Sequence, residues 1–473
     1  MMSAGKYMAL ALALLLPGCS LAPNYVRPEA PVAQAWPDDF MPAGTVLAQP
    51  SEAVAADIGW KQFFTDPHLQ HLIALALDNN RDLRVSALNI ERARGLYQIQ
   101  RADLMPGIEA TGESSNKGLP ADLSSRGERT VSRQDSVMVG MSSYELDFFG
   151  RIQSLKDQAL ETYLGTEEAY RSAHITLVSE VAMAYLTLVA DRERLTIAQD
   201  TLKSQRASYD MIKRRFDVGV SSELDLRQAQ TSVDTARVDI ARYTGQVAQD
   251  LTALGVLVGT KVTPDMLPAQ SLSDLPLWPE LPVGLPSDVL LRRPDILQAE
   301  HALKAANANI GAARANFFPR ITLTAGIGTA SNDLSNLFDG GTGMWNFLPQ
   351  IRLPLFEGGR NVANLRVSEA DKKIAVANYE KTIQNGFREV ADALILRISL
   401  ANQLTAQESL FKATSETYRL SGERYNQGID SYLAVLDSQR AMYSSQLNLV
   451  TVRENREQNL IQLYRALGGG WKE

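Results

Sequence analysis

The chain is written twice. A shift of 213 positions sets Asp82 on Asp295, Arg101-Ala102 on Arg314-Ala315, Pro106 on Pro319, Ile108 on Ile321 and Thr111 on Thr324. Further along, a shift of 209 aligns Gly150-Arg151 with Gly359-Arg360, Tyr170 with Tyr379, and Glu180-Val181-Ala182 with Glu389-Val390-Ala391. The same shift carries Arg215 to Arg424, Gly219 to Gly428, Leu224 to Leu433 and Gln230 to Gln439, and Ala253-Leu254-Gly255 meets Ala466-Leu467-Gly468 back at 213. A tandem duplication constrains architecture before local propensity does, because each copy must build the same substructure. The expected division is a first repeat over 61–263, a Pro-rich linker over 264–288 and a second repeat over 289–473.

Each copy has one internal order. A helical stretch, about 82–104 or 295–317, stops before Pro106 or Pro319, since the residue before a proline is pushed out of the helical region. A hairpin follows. Ile321, Leu323, Ala325 and Ile327 alternate with Thr322, Thr324 and Gly326, the period of a strand with unlike faces. Its return limb sets Ile351, Leu353 and Leu355 against Gln350, Arg352 and Pro354. Strands are expected at about 107–116, 135–147, 320–330 and 345–356, with polar turns at 114–134 and 331–343. The first hairpin is less regular: Ile108, Ala110 and Gly112, then Val137, Val139 and Met141.

After each hairpin proline disappears, from Arg151 to Thr263 and from Leu355 onwards, and Ala, Leu, Glu, Gln, Arg and Lys dominate. Long helices are expected over 151–217 and 222–254, and over 360–426 and 431–466. Each pair breaks at Gly219 or Gly428, which suit a C-terminal cap, with Ser222 and Asp430 able to cap the next helix. A helix over 151–217 measures about 100 Å at 1.5 Å per residue, too long for a globular core and suited to a rod or to a stave in a tube.

Two hairpins supply four strands, and the smallest membrane barrels need about eight. An orphan N–H or C=O costs several kcal/mol in lipid, so a barrel built from these strands must be shared between chains; a dimer and a trimer both satisfy that requirement.

The first residues read as an export signal over 1–18: Lys6 gives a positive start, and Met8 to Leu16 form an apolar stretch shorter than the roughly 20 residues of a span. Leu16-Pro17-Gly18-Cys19 resembles a bacterial lipobox, which makes Cys19 the expected site of a diacylglycerol and an N-acyl group and 19–60 a lipidated extended segment. Cys19 is the only cysteine, which excludes internal disulfides. Beyond Leu16 no apolar run of 18 residues is expected to span a bilayer, and one lipid alone binds a membrane only marginally, so β-structure is the natural anchor. The net charge of -7 spread over 473 residues offers no basic stripe to nucleic acid.

The duplicated plan, Arg292-Arg293-Pro294-Asp295-Ile296, Phe317-Phe318-Pro319-Arg320-Ile321, Phe356-Glu357-Gly358-Gly359-Arg360 and the closing Ala466-Leu467-Gly468-Gly469-Gly470-Trp471 together resemble the TolC/OprM outer membrane factors over nearly the whole mature chain. The lipobox points to the OprM-like lipoproteins of multidrug efflux systems. The resemblance implies a mixed α and β membrane protein. Its trimer would have a twelve-strand barrel continuous with a twelve-helix periplasmic tunnel, lipid-anchored in the outer membrane and extending into the periplasm. It implies a periplasmic adaptor and an inner-membrane transporter of the resistance-nodulation-division type as partners, antibiotic resistance as a consequence, and no cofactor beyond the covalent lipid.

The resemblance also implies that the tunnel closes at the helix tips beside Gly219 and Gly428. Leu433 would form an apolar constriction and Asp437, one turn on, a carboxylate ring. The alternative is a helix-packing leucine and a solvated charge. Asp225 matches an Asp that pairs with a neighbouring tip, Tyr425 a Tyr on the other side of that contact, and Arg424 could add a charge-assisted bond there. The match is partial, because Asp430 and Ala434 stand where some secretion-type relatives have Arg and Asp.

His68 and His71 lack a third ligand, Gly358-Gly359 lacks the following Lys-Ser/Thr of a phosphate loop, and no Ser-His-Asp set or paired carboxylates with a pocket emerge. The reading is an export duct and not an enzyme. Its alternatives are a duct for type I protein secretion and a structural periplasmic lipoprotein.

Overall fold

The computed structural model describes residues 20–33, 35–36, 55–125, 127–267, 271–276, 278–279, 281 and 290–472. The expected signal peptide over 1–18 and Cys19 lie outside the described residues. In chain order the elements are α1 (Pro67–Asn79), α2 (Arg81–Ala102), β1 (Glu109–Leu119), β2 (Thr130–Leu146), α3 (Arg151–Asp217) and α4 (Glu223–Val258). There follow α5 (Pro294–Ala315), β3 (Arg320–Ser331), β4 (Gly343–Arg352), α6 (Arg360–Asn426) and α7 (Tyr432–Ala466). The chain divides into two compact units: residues up to Glu29 with Asn89–Glu167 and Gln298–Tyr379, and Ala30–Leu88 with Glu168–Leu297 and Glu380–Glu473.

In the first unit the strands form one antiparallel sheet in the order β1-β2-β3-β4. Its register sorts the side chains. Ile321, Leu323, Ala325 and Ile327 stand opposite Ile351, Pro349, Phe347 and Trp345 on one side and Leu146, Tyr144, Met141 and Val139 on the other. Because alternate residues share a face, these form one apolar surface. The other face carries Arg320 opposite Arg352, Thr322 opposite Gln350, and Glu145 opposite Thr322. A bulge between Met141 and Tyr144 keeps β2 in this phase; there Ser143 takes a φ of 53° and its N–H donates to Thr324 Oγ1 at 3.0 Å. Pro349 lies in β4, an edge strand, where a missing N–H is tolerated.

Three strand limits differ from expectation. β1 and β2 run on to Leu119 and from Thr130, well into the segment expected as a turn, because ladder hydrogen bonds form between polar residues as readily as between apolar ones. β4 stops at Arg352, two residues before Pro354, so Leu353 and Leu355 lie beyond the sheet.

Residues 20–29 lie along α5. The Leu21 carbonyl accepts from Arg314 at 3.2 Å and the Pro23 carbonyl from Asn307 Nδ2 at 2.7 Å. Arg27 grips the buried Glu300 with bonds of 3.1 and 2.7 Å, joined by the Tyr25 hydroxyl at 3.1 Å.

The second unit has an aromatic core. Trp60, Phe63, Phe64, Trp278 and Tyr464 pack together, with Phe63 stacked on Tyr464 at 3.9 Å between centroids. Asp66 caps α1 by accepting from His68 N at 2.9 Å, and its second oxygen accepts the buried Tyr185 hydroxyl. Arg293, buried just before α5, makes a bidentate pair with Asp295 at 3.0 and 2.7 Å and reaches Glu389 of α6 at 2.8 Å. It also donates to the Ala466 carbonyl at the end of α7 at 2.8 Å. Contrary to expectation, one 18-residue window of α3 is apolar enough to cross a bilayer; it is 61% buried and serves as core.

Candidate channel wall and helix-tip gate

The sheet supplies a wall without closing it. Its apolar face is uncovered, with Ile327 70% and Trp345 76% exposed, and both β1 and β4 are edges with unpaired backbone groups. The opposite face is polar. At one end of it the half-buried Glu145 accepts from Arg151 at 2.8 and 2.7 Å and meets Arg320 at 3.3 Å, so its charge is compensated locally.

In the second unit the helix tips are built from matched turns. Gly219 and Gly428 adopt φ of 76° and 73°, which an L side chain resists. In each turn the N–H of Val220 or Ile429 reaches back to the carbonyl of Arg215 or Arg424, at 2.8 and 3.0 Å, the pattern of a Schellman cap. The restarts differ. Ser222 and Asp225 form a capping box on α4, whereas Ser431, the residue before α7, makes no side-chain cap, and Ala434, where α4 has Asp225, has no carboxylate to complete a box. Asp430, expected as a cap, instead accepts from Arg424 at 2.6 and 3.1 Å.

Each gate residue expected from the sequence has a definite place. Within the chain Asp225 accepts from the hydroxyls of Ser222 and Ser221 at 2.8 and 3.1 Å, and the Ser222 bonds hold its carboxyl below the usual range. Arg424 is taken by Asp430, whose carboxyl the guanidinium holds low. Asp225 and Arg424 are therefore not brought together in one chain. Tyr425 accepts a 2.7 Å bond from Arg215, whose guanidinium carbon stands 5.3 Å from the Tyr425 ring centre. Beneath them Ile212, Ala229, Tyr432 and Leu436 form a small buried cluster, and burial pushes the Tyr432 hydroxyl up to about 12. Helix packing falls to Leu436, 1% exposed, while Leu433 is 44% exposed. The Asp437 side chain is 63% exposed and, among the described residues, pairs with Arg440 at 3.6 Å. Leu433 and Asp437 share an uncovered face of α7. Arg215 is the residue sequence reading missed; it was visible only as the repeat partner of Arg424.

The sequence profile described as OEP, outer membrane efflux protein, matches residues 72–260 and 285–469, one match per repeat. The toluene efflux pump outer membrane protein TtgC of Pseudomonas putida is 50% identical over 461 residues, covering 98% of this chain and 94% of that protein. The antibiotic efflux pump outer membrane protein ArpC of Pseudomonas putida is 50% identical over 461 residues with the same coverage, 98% and 94%. Among solved structures, the open state of the Neisseria gonorrhoeae MtrE outer membrane channel matches with a TM-score of 0.87 at 38% identity, covering 96% of this chain and 99% of that one. The open sheet, the paired helical hairpins and the double profile match agree: this chain belongs to the outer membrane efflux protein family, whose members are channel components of efflux pumps and not enzymes.

Proposed function

We propose that three copies of this chain close a twelve-strand barrel and a twelve-helix tunnel that serves as the passive exit duct of a tripartite efflux system. A periplasmic adaptor and an inner-membrane resistance-nodulation-division transporter complete it and supply the energy. The observation that carries this reading is the four-stranded sheet with one bare apolar face and two open edges. In lipid such a sheet is stable only when other copies pair with its edges. The names of relatives that export toluene or antibiotics support small toxic compounds as cargo.

The first 18 residues act as a removed signal, and 19–60 as a segment lipidated at Cys19. The strap of residues 20–29 supports this, because it holds Leu21 beside Arg314, six residues before β3 begins, where a strand would meet the membrane. Passage is controlled at the helix tips. Leu433 narrows the opening and Asp437 lines it with carboxylates that favour cations, both left uncovered by their own chain. Asp225, Arg424 and Tyr425 tune the tips, with Gly219 and Gly428 at the turns.

Planar-bilayer recording of the purified protein tests the duct: Leu433→Ala should raise conductance and Asp437→Ala should weaken the preference for cations, and a trimer that stays silent with both would sink it. Deletion of the gene should sensitise cells to drugs and solvents while leaving secreted proteins unchanged; the reverse pattern would favour the secretion reading.

A further inference from the structure

We propose that the cavity at the foot of the sheet is a binding site for aromatic carboxylates, held by the Arg352 guanidinium and the Phe149 and Phe318 rings. Its place along an export path rests on the duct reading; the binding itself does not.

Three connections meet there: β2 passes into α3, α5 into β3 and β4 into α6. A cavity of about 280 Å³ lies between them, and about 150 Å³ is enough to hold a benzene ring in a protein interior. Its charges do not balance. The register of β3 and β4 sets Arg320 directly opposite Arg352 on the polar face, and like charges so placed repel. Glu145 meets Arg320 at 3.3 Å, but its two oxygens also accept from Arg151 at 2.8 and 2.7 Å. Asp147 accepts from the Gln153 N–H at 2.7 Å, and Glu357 stands 3.8 Å from Arg360. Every carboxylate of the lining is thus engaged, while Arg352 has no hydrogen bond or ion pair among the described residues. A guanidinium presents its N–H donors in a planar fork that a carboxylate meets with two parallel bonds.

The rings decide which carboxylate. Phe149, from the β2–α3 connection, stacks on Phe318, from the α5–β3 connection, with 4.8 Å between centroids and 22° between planes. Both line the cavity together with Pro319 and Pro354. Phe318 is 42% exposed, so a flat ring laid on this wall would remove apolar surface from water. A small anion meets only the arginine and a neutral arene only the wall, whereas an aryl carboxylate meets both. In the duct reading the polar face lines the lumen, so the site lies on the path of exported molecules.

The test is titration of benzoate into the purified full-length protein, read by broadening of the benzoate resonances, with acetate, benzyl alcohol and benzylammonium as comparison probes. Benzoate should saturate, acetate and benzyl alcohol should bind about tenfold more weakly, and benzylammonium should not saturate. Arg352→Gln should weaken benzoate about tenfold, as loss of a charge-assisted pair, and leave benzyl alcohol unchanged. Phe318→Leu should weaken benzoate severalfold and leave acetate unchanged. Oligomer yield and melting temperature of each variant exclude misfolding. Benzoate binding that Arg352→Gln leaves intact, or benzylammonium bound as well as benzoate, overturns the site. Glu109 begins β1, the other edge strand, on the same polar face, so a copy pairing its β1 with this β4 carries a carboxylate toward Arg352. Benzoate binding that appears only with Glu109→Gln would mean that this carboxylate already holds the guanidinium, and it too overturns the site. A protein that conducts but binds no benzoate refutes the site and keeps the duct; one that binds benzoate and never conducts refutes the duct and keeps the site.

Discussion

Gly219 and Gly428 show how little space a functional turn can leave to choice. Nothing stands within 4 Å of where a Cβ would be built on either, so the whole penalty of a side chain is backbone strain at positive φ. Gly428→Ala should therefore cost about 1 kcal/mol and no more, read as a small fall in denaturant midpoint with the fold intact. A buried group makes a prediction of another kind. Arg194 bonds Asp191 at 2.6 Å and Glu454 at 2.7 Å, and Asp250 of α4 faces the same cluster with one carboxylate oxygen buried and without a donor. One arginine cannot neutralise three carboxylates. Burial, then the charge of Asp191, raises Asp250 to about 6. Its folded value lies above its unfolded one, so its contribution to stability is complete below the ordinary carboxylate range and is lost as pH rises through about 6. Asp250→Asn should remove that loss. The variant should gain about 1–2 kcal/mol at neutral pH, a figure discounted for partial exposure, and nothing at pH 4. Melting curves at the two pH values check it, and an equal shift at both would refute the assignment.

At the scale of elements, Arg293 shows what joins them. It ties the start of α5 to α6 through Glu389 and to the end of α7 through the Ala466 carbonyl. Arg293→Ala would leave the buried Ala466 carbonyl without its donor, while Glu389, 39% exposed, can turn to water, and should cost about 1–3 kcal/mol, visible as a lowered melting temperature and early proteolysis beside 290–297. The long helices were legible in the sequence because two proline-free runs with helical spacing leave few alternatives, and the glycines marked their ends. The hairpins were legible through the alternation at Ile321 to Ile327. The polar ends of β1 and β2 were not, since Ser114, Asn116 and Lys117 give no alternation between apolar and polar faces, and a ladder needs none. Nor were the tip contacts. Asp430 in isolation looks like a helix cap, and only the fold puts Arg424 within reach of it; the Arg215 and Tyr425 pair joins residues 210 positions apart. Spacing predicts which residues share a face of one helix, and it is silent on which faces of two helices meet.

For the molecule as a whole, the strand alternation decides which side meets lipid, and this can be tested without assuming how many copies assemble. Ile327 sits in a row with Val139 and Trp345, all on the bare apolar face, while Thr322 stands opposite Gln350 and beside Glu145 on the polar one. A charge on a lipid-facing strand position costs about 2–4 kcal/mol near the bilayer midplane, while the same charge facing water inside a barrel costs little. Ile327→Arg should thus cut the amount of protein assembled in the outer membrane several-fold, with heat-resistant oligomer replaced by degraded chain. Thr322→Arg should assemble normally and instead shift the channel away from cations, because it adds a positive charge to each copy's share of the pore lining. The pair of substitutions is close in the strand and identical in the side chain introduced, so propensity and expression effects cancel between them. Equal loss of assembly from both would mean that the sheet does not separate lipid from lumen. A loss from Thr322→Arg alone would mean that the polar face meets lipid and the apolar face the lumen. Arg320, Arg352 and Glu145 would then have to be explained as lipid-facing, where their mutual pairing alone would not offset the cost of leaving water.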